Sequence, residues 1–196
     1  MDKDKQIQKV SKLSLEKLSE DSKLVKRGLR DLSIWPKIEE LFAKLKAAYD
    51  NGQIDECMKI AEEILQTDSN HFFTLCYYGR CLYQKDEYEK SAEYLTRCLN
   101  EEENYFFLWK FRGDCYYKME NYEKATEDYK TSLELDPTNT ATIDDIAQCT
   151  FLLGDFNTAH AHIDQAIRIE NESDMPMIRK AQFFEFQRQK VKALEQ

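Results

Sequence analysis

Residues 109–137 decide the fold of this chain and read WKFRGDCYYKMENYEKATEDYKTSLELDP. Their first part carries residues at the i, i+3, i+4, i+7 spacing of one helical face: Trp109, Arg112, Gly113 and Tyr116. A second set at helical spacing follows the polar break at 120–121: Ala125, Tyr129, Ser132 and Leu133. Pro137 ends the second helix, because proline has no backbone N–H to donate. The stretch therefore predicts two antiparallel helices, which the small residues Gly113 and Ala125 allow to approach closely.

The same arrangement recurs along the chain every 34 residues. Residues of one size class keep this interval at several positions: Gly79, Gly113 and Ala147; Cys81, Cys115 and Cys149; Tyr83, Tyr117 and Phe151; Leu99, Leu133 and Ile167. Self-similarity at a fixed period of this length is typical of repeat proteins. We therefore predict four contiguous copies, at about residues 38–71, 72–105, 106–139 and 140–173.

The third copy resembles the tetratricopeptide repeat (TPR). The resemblance rests on Trp109-x-x-Arg112-Gly113-x-x-Tyr116, on Ala125-x-x-x-Tyr129 and on Pro137. Arg112 departs from the family, which usually has leucine there. The resemblance implies an all-α fold, a right-handed α-solenoid of four helix–turn–helix TPR units over residues 37–173, and it implies protein binding.

The two flanks differ from the repeats. Residues 1–36 hold nine basic and six acidic side chains, a net +3, whereas the remainder of the chain carries −12. This leader is open to three interpretations: a solvated, partly disordered segment, a helix that docks on the acidic repeats in cis or on a partner chain, or a basic membrane-binding helix. Residues 174–196 are expected to form either a C-terminal capping helix or the start of a fifth repeat.

Composition and motifs disfavour several other classes. Five glycines and three prolines are too few for the turns of an all-β domain. The six cysteines form no CxxC pair, so we expect reduced thiols, no metal and a cytoplasmic location, cytoskeletal or ciliary sites included. No hydrolase motif or Gly-rich phosphate loop is present, so we expect no enzyme activity and no cofactor. The acidic body disfavours nucleic acid, and neither a secretory signal nor a membrane span is expected.

What the family resemblance does offer is a binding groove. In tetratricopeptide proteins the first helix of each pair lines a concave surface, and counting within each copy gives the expected partner-binding groove: Phe73, Tyr77, Arg80, Tyr83, Phe107, Lys110, Phe111, Tyr117, Lys118 and Phe151. Aromatic side chains make good peptide anchors, because they bring large contact area at low entropy cost. Tyr83 and Tyr117 have an alternative interpretation as core residues between repeats.

One subclass of the family clamps the C-terminal carboxylate of heat-shock chaperones with Lys, Asn and Arg side chains. The matching positions here read Phe42, Lys46, Tyr77, Phe107 and Phe111, or, one repeat later, Cys76, Arg80, Phe111, Ala141 and Asp145. Neither set has that pattern, so chaperone tails are not expected as partners.

Two functions remain open from the sequence. The first is a non-enzymatic scaffold or adaptor that binds a peptide or helical segment of a partner protein in the aromatic groove. The second is a structural subunit of a larger assembly, for example a ciliary or organellar complex, anchored through the N-terminal segment. An enzyme-regulatory subunit is a weaker third interpretation.

Overall fold

The computed structural model describes residues 34–169 and 175–194. Within these ranges the chain forms nine α-helices and no strand, so the predicted all-α class is confirmed. The helices are α1 (Trp35–Asp50), α2 (Ile54–Thr67), α3 (Phe72–Gln84), α4 (Tyr88–Glu101), α5 (Phe106–Lys118), α6 (Tyr122–Leu135), α7 (Thr140–Leu152), α8 (Phe156–Ile169) and α9 (Met175–Leu194). The predicted leader lies outside the described residues except for its last three, and α1 already begins at Trp35 with Pro36 in its first turn.

The helix boundaries repeat with the period of the sequence. The helices α3, α5 and α7 begin at Phe72, Phe106 and Thr140, which are 34 residues apart, and α4, α6 and α8 keep the same interval. Each helix packs mainly on its neighbours in the chain. This nearest-neighbour packing is the organisation of a solenoid.

The turn inside each helix pair uses one backbone conformation in all four copies. Positive φ angles occur at Gly52 (72°), Asp86 (61°), Glu120 (58°) and Gly154 (86°), again at intervals of 34 residues. The left-handed conformation costs an L-residue roughly 1–2 kcal/mol, which glycine avoids. The repeat geometry is therefore strong enough to impose this conformation on Asp86 and Glu120 as well.

Small residues set the distance between paired helices. An added Cβ at Gly113 would lie 2.7 Å from Cε1 of Tyr129, and Ser91 Oγ donates a hydrogen bond of 2.7 Å to the Gly79 carbonyl. All six cysteines are buried at these helix interfaces. The thiols of Cys57 and Cys81 come within 3.3 Å of each other, and those of Cys76 and Cys98 within 3.2 Å.

Arg112, which departs from the family pattern, has a structural explanation. Its guanidinium donates two hydrogen bonds of 2.8 Å to the two carboxylate oxygens of Asp128 on α6 and one of 3.0 Å to Thr96 on α4. The same group lies 4.9 Å from the ring of Trp109. Arg112 thus joins three helices through a bidentate ion pair, where leucine would only fill space.

The last helix closes the C-terminal end of the described core. Phe183 of α9 is buried against Phe151 of α7, with ring centroids 6.1 Å apart, and against His160 of α8 at 5.7 Å. At 20 residues α9 is longer than the helices of the repeats. These contacts fit both a capping helix and the first helix of a fifth repeat, and both stay predictions.

Candidate protein-binding groove

Six side chains of α1, α3 and α5 form a surface that we call the aromatic groove: Phe42, Phe73, Tyr77, Arg80, Phe107 and Phe111. The ring of Phe42 packs against Phe73 and Tyr77, at centroid distances of 5.9 and 5.8 Å. A cavity of about 210 Å³ opens here, with Leu95 and Leu108 among its lining residues. The first helices of neighbouring repeats therefore meet at an apolar depression.

Two phenylalanine rings of this groove are exposed to solvent. Phe73 is 52% exposed and Phe107 is 39% exposed, although both line the cavity. Tyr105, also 39% exposed, packs on Phe107 at 5.3 Å and extends the patch. Counting helix positions did not identify Tyr105, because this residue precedes α5. The run of three aromatic residues, Tyr105-Phe106-Phe107, does indicate an aromatic patch in the sequence.

Arg80 is the charged member of the aromatic groove. Its guanidinium carbon lies 4.6 Å from the ring centre of Tyr49 on α1 and 5.2 Å from that of Phe111 on α5. Such cation–π contacts hold a guanidinium over aromatic faces while leaving its N–H groups to other partners. Burial raises the pKa of Tyr49, and the nearby positive charge of Arg80 works against that increase.

Lys110, in contrast, is already paired. Its Nζ lies 2.8 Å from Asp145 on α7 and 3.2 Å from Asp114 on its own helix, and Asp114 also accepts a 2.8 Å hydrogen bond from the Tyr129 hydroxyl. Burial alone would lower the pKa of Lys110, but the two carboxylates raise it, so the ammonium stays charged. Lys110 therefore belongs to an internal network with one cation and two anions.

The remaining predicted groove residues have different surroundings. Tyr83 is half-buried between Tyr88 and Phe111, at 5.3 and 6.1 Å. The Tyr117 hydroxyl donates a 3.3 Å hydrogen bond to Gln148 on α7. Both tyrosines contact neighbouring helices, in keeping with their alternative interpretation as inter-repeat residues.

Phe151 and Lys118 are extremes of exposure. Phe151 is only 8% exposed, because Phe156, Phe183 and Phe186 surround it, and its ring offers a partner little surface. Lys118 is exposed at the end of α5. The structure thus brings Phe73, Tyr77, Arg80, Phe107 and Phe111 together at one cavity and leaves the other predicted residues outside its lining.

Residues 107–139 match the sequence model of the tetratricopeptide repeat. The chain contains a tetratricopeptide repeat. The match covers the third copy, from Phe107 in α5 to Asn139 before α7, and it includes the stretch that carried the resemblance. The tetratricopeptide interpretation is therefore confirmed, and this repeat supports a protein-interaction scaffold in general terms.

Solved structures show that the helical-repeat fold extends beyond the matched copy. MamA 41-end from Desulfovibrio magneticus RS-1 aligns with a TM-score of 0.67 at 21% identity, over 89% of this chain and 98% of that one. A MamA crystal structure aligns with the same TM-score at 18% identity, over 75% and 85% of the two chains. At such identities the likeness concerns the fold alone. No curated protein sequence matches this chain.

Two other kinds of feature are absent from the described residues. In the part of the chain that the structure describes, no helix combines the length and the apolar character needed to cross a membrane. Over residues 34–169 and 175–194, no group of three His, Cys, Asp or Glu side chains is arranged to hold a metal ion.

Proposed function

We propose that this chain is a non-enzymatic scaffold or adaptor that binds a peptide or helical segment of a partner protein in its aromatic groove. One observation carries the proposal: Phe73 and Phe107, which are 52% and 39% exposed, lie together at the rim of a cavity. Exposed aromatic rings beside a preformed depression are typical of sites where a partner covers them.

The two exposed rings supply enough free energy to anchor a peptide. A phenylalanine side chain offers roughly 200 Å² of surface. Covering the exposed part of Phe73, 52% of its surface, therefore contributes about 2.6 kcal/mol, and covering that of Phe107, 39%, contributes about 2 kcal/mol, at about 25 cal/mol per Å². Removing one ring should weaken binding by about 30- to 80-fold.

The test compares partner capture by the full chain with capture by two groove variants. Phe73→Ala and Phe107→Ala remove exposed rings, so the fold should survive, which far-UV circular dichroism verifies. Phe184→Ala is the matched control, because Phe184 is 48% exposed but lies on α9, away from the cavity. We expect affinity capture with mass spectrometry to recover a protein with the wild type and with Phe184→Ala, and to lose it with both groove variants. Recovery that all three variants leave unchanged would contradict the proposal.

The charge asymmetry of the chain favours a second candidate function, a structural subunit anchored through its N-terminal segment. Residues 1–36 carry +3 against −12 for the rest, which is the arrangement expected if the two parts serve different contacts. A partner that is lost only when residues 1–33 are deleted, and kept by both groove variants, would transfer the function to that segment.

A further inference from the structure

The described part of the chain holds three cations in partly buried positions on α3 and α5, and two of them are paired. Arg112 has Asp128, and Lys110 has Asp114 and Asp145. Arg80 has no ion pair with any described carboxylate, and its buried Nε has no hydrogen-bond partner there. Its surroundings are instead the rings of Tyr49, Tyr77 and Phe111.

A partly buried guanidinium without a carboxylate partner is destabilised, and its buried Nε–H without an acceptor adds to that cost. A carboxylate is the acceptor that fits best, because its two oxygens match the planar fork of N–H donors. Since Arg80 lines the same cavity as Phe73 and Phe107, one ligand is able to reach the cation and the exposed rings together.

We propose that Arg80 receives the side-chain carboxylate of an Asp or Glu within a partner peptide, while a neighbouring aromatic or large aliphatic side chain of that peptide fills the cavity between Phe73 and Phe107. This inference rests on the proposed function and names the chemistry of its partner. Arg80 is the ninth residue of the thirteen in α3, and its guanidinium contacts the rings of Tyr49 on α1 and Phe111 on α5. The ligand chain therefore continues past Arg80 in both directions, which fits an internal acidic residue rather than a chain end.

The charges around the groove also determine on which side the partner's acidic residue binds. Beyond Phe111, towards α7, the network of Lys110, Asp114 and Asp145 carries one more negative than positive charge. Like charges placed together cost binding free energy. The partner's acidic residue therefore faces α3, and the part of the partner next to α7 is neutral or basic.

The experiment selects peptides from a random 12-residue library displayed on phage. The library is fused to the coat protein through the peptide C-terminus, so that no free terminal carboxylate is present. The baits are the full chain, Arg80→Gln, and the control Arg97→Gln, which removes an arginine that lies 5.2 Å from the Tyr94 ring on α4, outside the cavity. We expect the wild type and Arg97→Gln to enrich peptides with Asp or Glu beside a large apolar residue, and Arg80→Gln to lose that preference.

Synthetic copies of an enriched peptide then measure the pairing by fluorescence anisotropy. Changing the acidic residue of the peptide to its amide should weaken binding to the wild type by roughly 10- to 100-fold, as should Arg80→Gln. The two changes together should cost no more than either alone, because they remove the same contact. The peptide change needs no altered protein, so it decides the question even if Arg80→Gln folds poorly. Amidation of the peptide C-terminus should have no effect.

The outcomes separate this inference from the proposed function. Enriched peptides that lack an acidic residue, that bind Arg80→Gln as well as the wild type, or that lose affinity on C-terminal amidation overturn the inference. The groove function survives these results if Phe73→Ala and Phe107→Ala still weaken binding. If no peptide is enriched, or if the groove variants bind equally well, both the inference and the proposed function fail.

Discussion

A single added methyl group should distinguish two glycines that occupy the same position in successive repeats. Gly79 and Gly113 each face the second helix of their pair, but across from them stand different residues, Leu95 and Tyr129. A Cβ at Gly79 would lie 3.3 Å from Leu95 Cγ, whereas a Cβ at Gly113 would lie 2.7 and 2.8 Å from two ring carbons of Tyr129. The first contact is tight, and the second is impossible unless the ring moves.

The expected change in the free energy of unfolding has three contributions. Alanine favours a helix over glycine by about 1 kcal/mol at either position. At Gly113 the added group overpacks the interface, which costs typically 1–3 kcal/mol. The Tyr129 ring is only 1% exposed and its hydroxyl is bonded to Asp114, so moving it also strains a hydrogen bond to a charged group, for roughly 1.5 kcal/mol more. We expect Gly113→Ala to lose about 2–3 kcal/mol and Gly79→Ala to be neutral or stabilised by up to about 1 kcal/mol.

Urea and thermal unfolding followed by circular dichroism at 222 nm measure both variants. For a chain of this size about 2–4 °C accompanies each kcal/mol, so Gly113→Ala should melt about 5–10 °C below the wild type. The variant Tyr129→Leu opens space at the same point. The double variant Gly113→Ala with Tyr129→Leu should therefore be more stable than the sum of its single changes predicts. If Gly113→Ala proves as stable as Gly79→Ala, the close approach of α5 and α6 is not what limits this position.

Three further predictions concern stability and use the same unfolding assay. Asn121→Ala should cost about 1 kcal/mol of unfolding free energy, because the Asn121 side chain accepts a hydrogen bond from the Lys124 N–H at the start of α6. Glu87 holds the same position in the preceding repeat but makes no side-chain cap, so Glu87→Ala should cost only about 0.3 kcal/mol. Asp128→Asn should cost about 2–3 kcal/mol, because it leaves Arg112 without its ion-pair partner. Replacing both Arg112 and Asp128 by leucine should be nearly neutral. If the double leucine variant loses as much stability as Asp128→Asn, this explanation of the ion pair is wrong. Burial raises the pKa of the Cys115 thiol from 9.0 to about 11, so the unfolded chain loses this proton first and stability should fall between these pH values. Cys115→Ala should make that decline shallower, and an unchanged slope would count against it.

The repeat architecture was predictable because it depends on positions that every copy needs. Gly113, Tyr129 and Pro137 can be recognised in isolation, since close helix approach and helix termination each require particular residue types. The 34-residue interval then extends the prediction to copies whose own pattern is weak. Counting positions within each copy named five of the six residues of the aromatic groove, because residues at one position of each first helix share one face.

The position of a charged side chain within its repeat did not predict whether that side chain forms an ion pair. Lys110 and Arg80 have the same charge and both fall on groove positions, yet Asp145, 35 residues further along the chain than Lys110, neutralises one and no described carboxylate reaches the other. Phe151 also occupied a groove position, and α9 covers it. Both facts depend on packing between repeats, which a pattern within a single repeat does not contain.

One position of the first helix differs in charge from repeat to repeat. Three successive copies read Gly79-Arg80-Cys81, Gly113-Asp114-Cys115 and Ala147-Gln148-Cys149. The outer residues of each triplet are buried and keep their size, because a neighbouring helix leaves no room for change. The middle residue is partly exposed in every copy and changes from cation to anion to neutral amide. Packing therefore constrains the flanking residues in all three copies, whereas the middle residue varies, so Arg80, Asp114 and Gln148 give successive repeats different electrostatic surfaces.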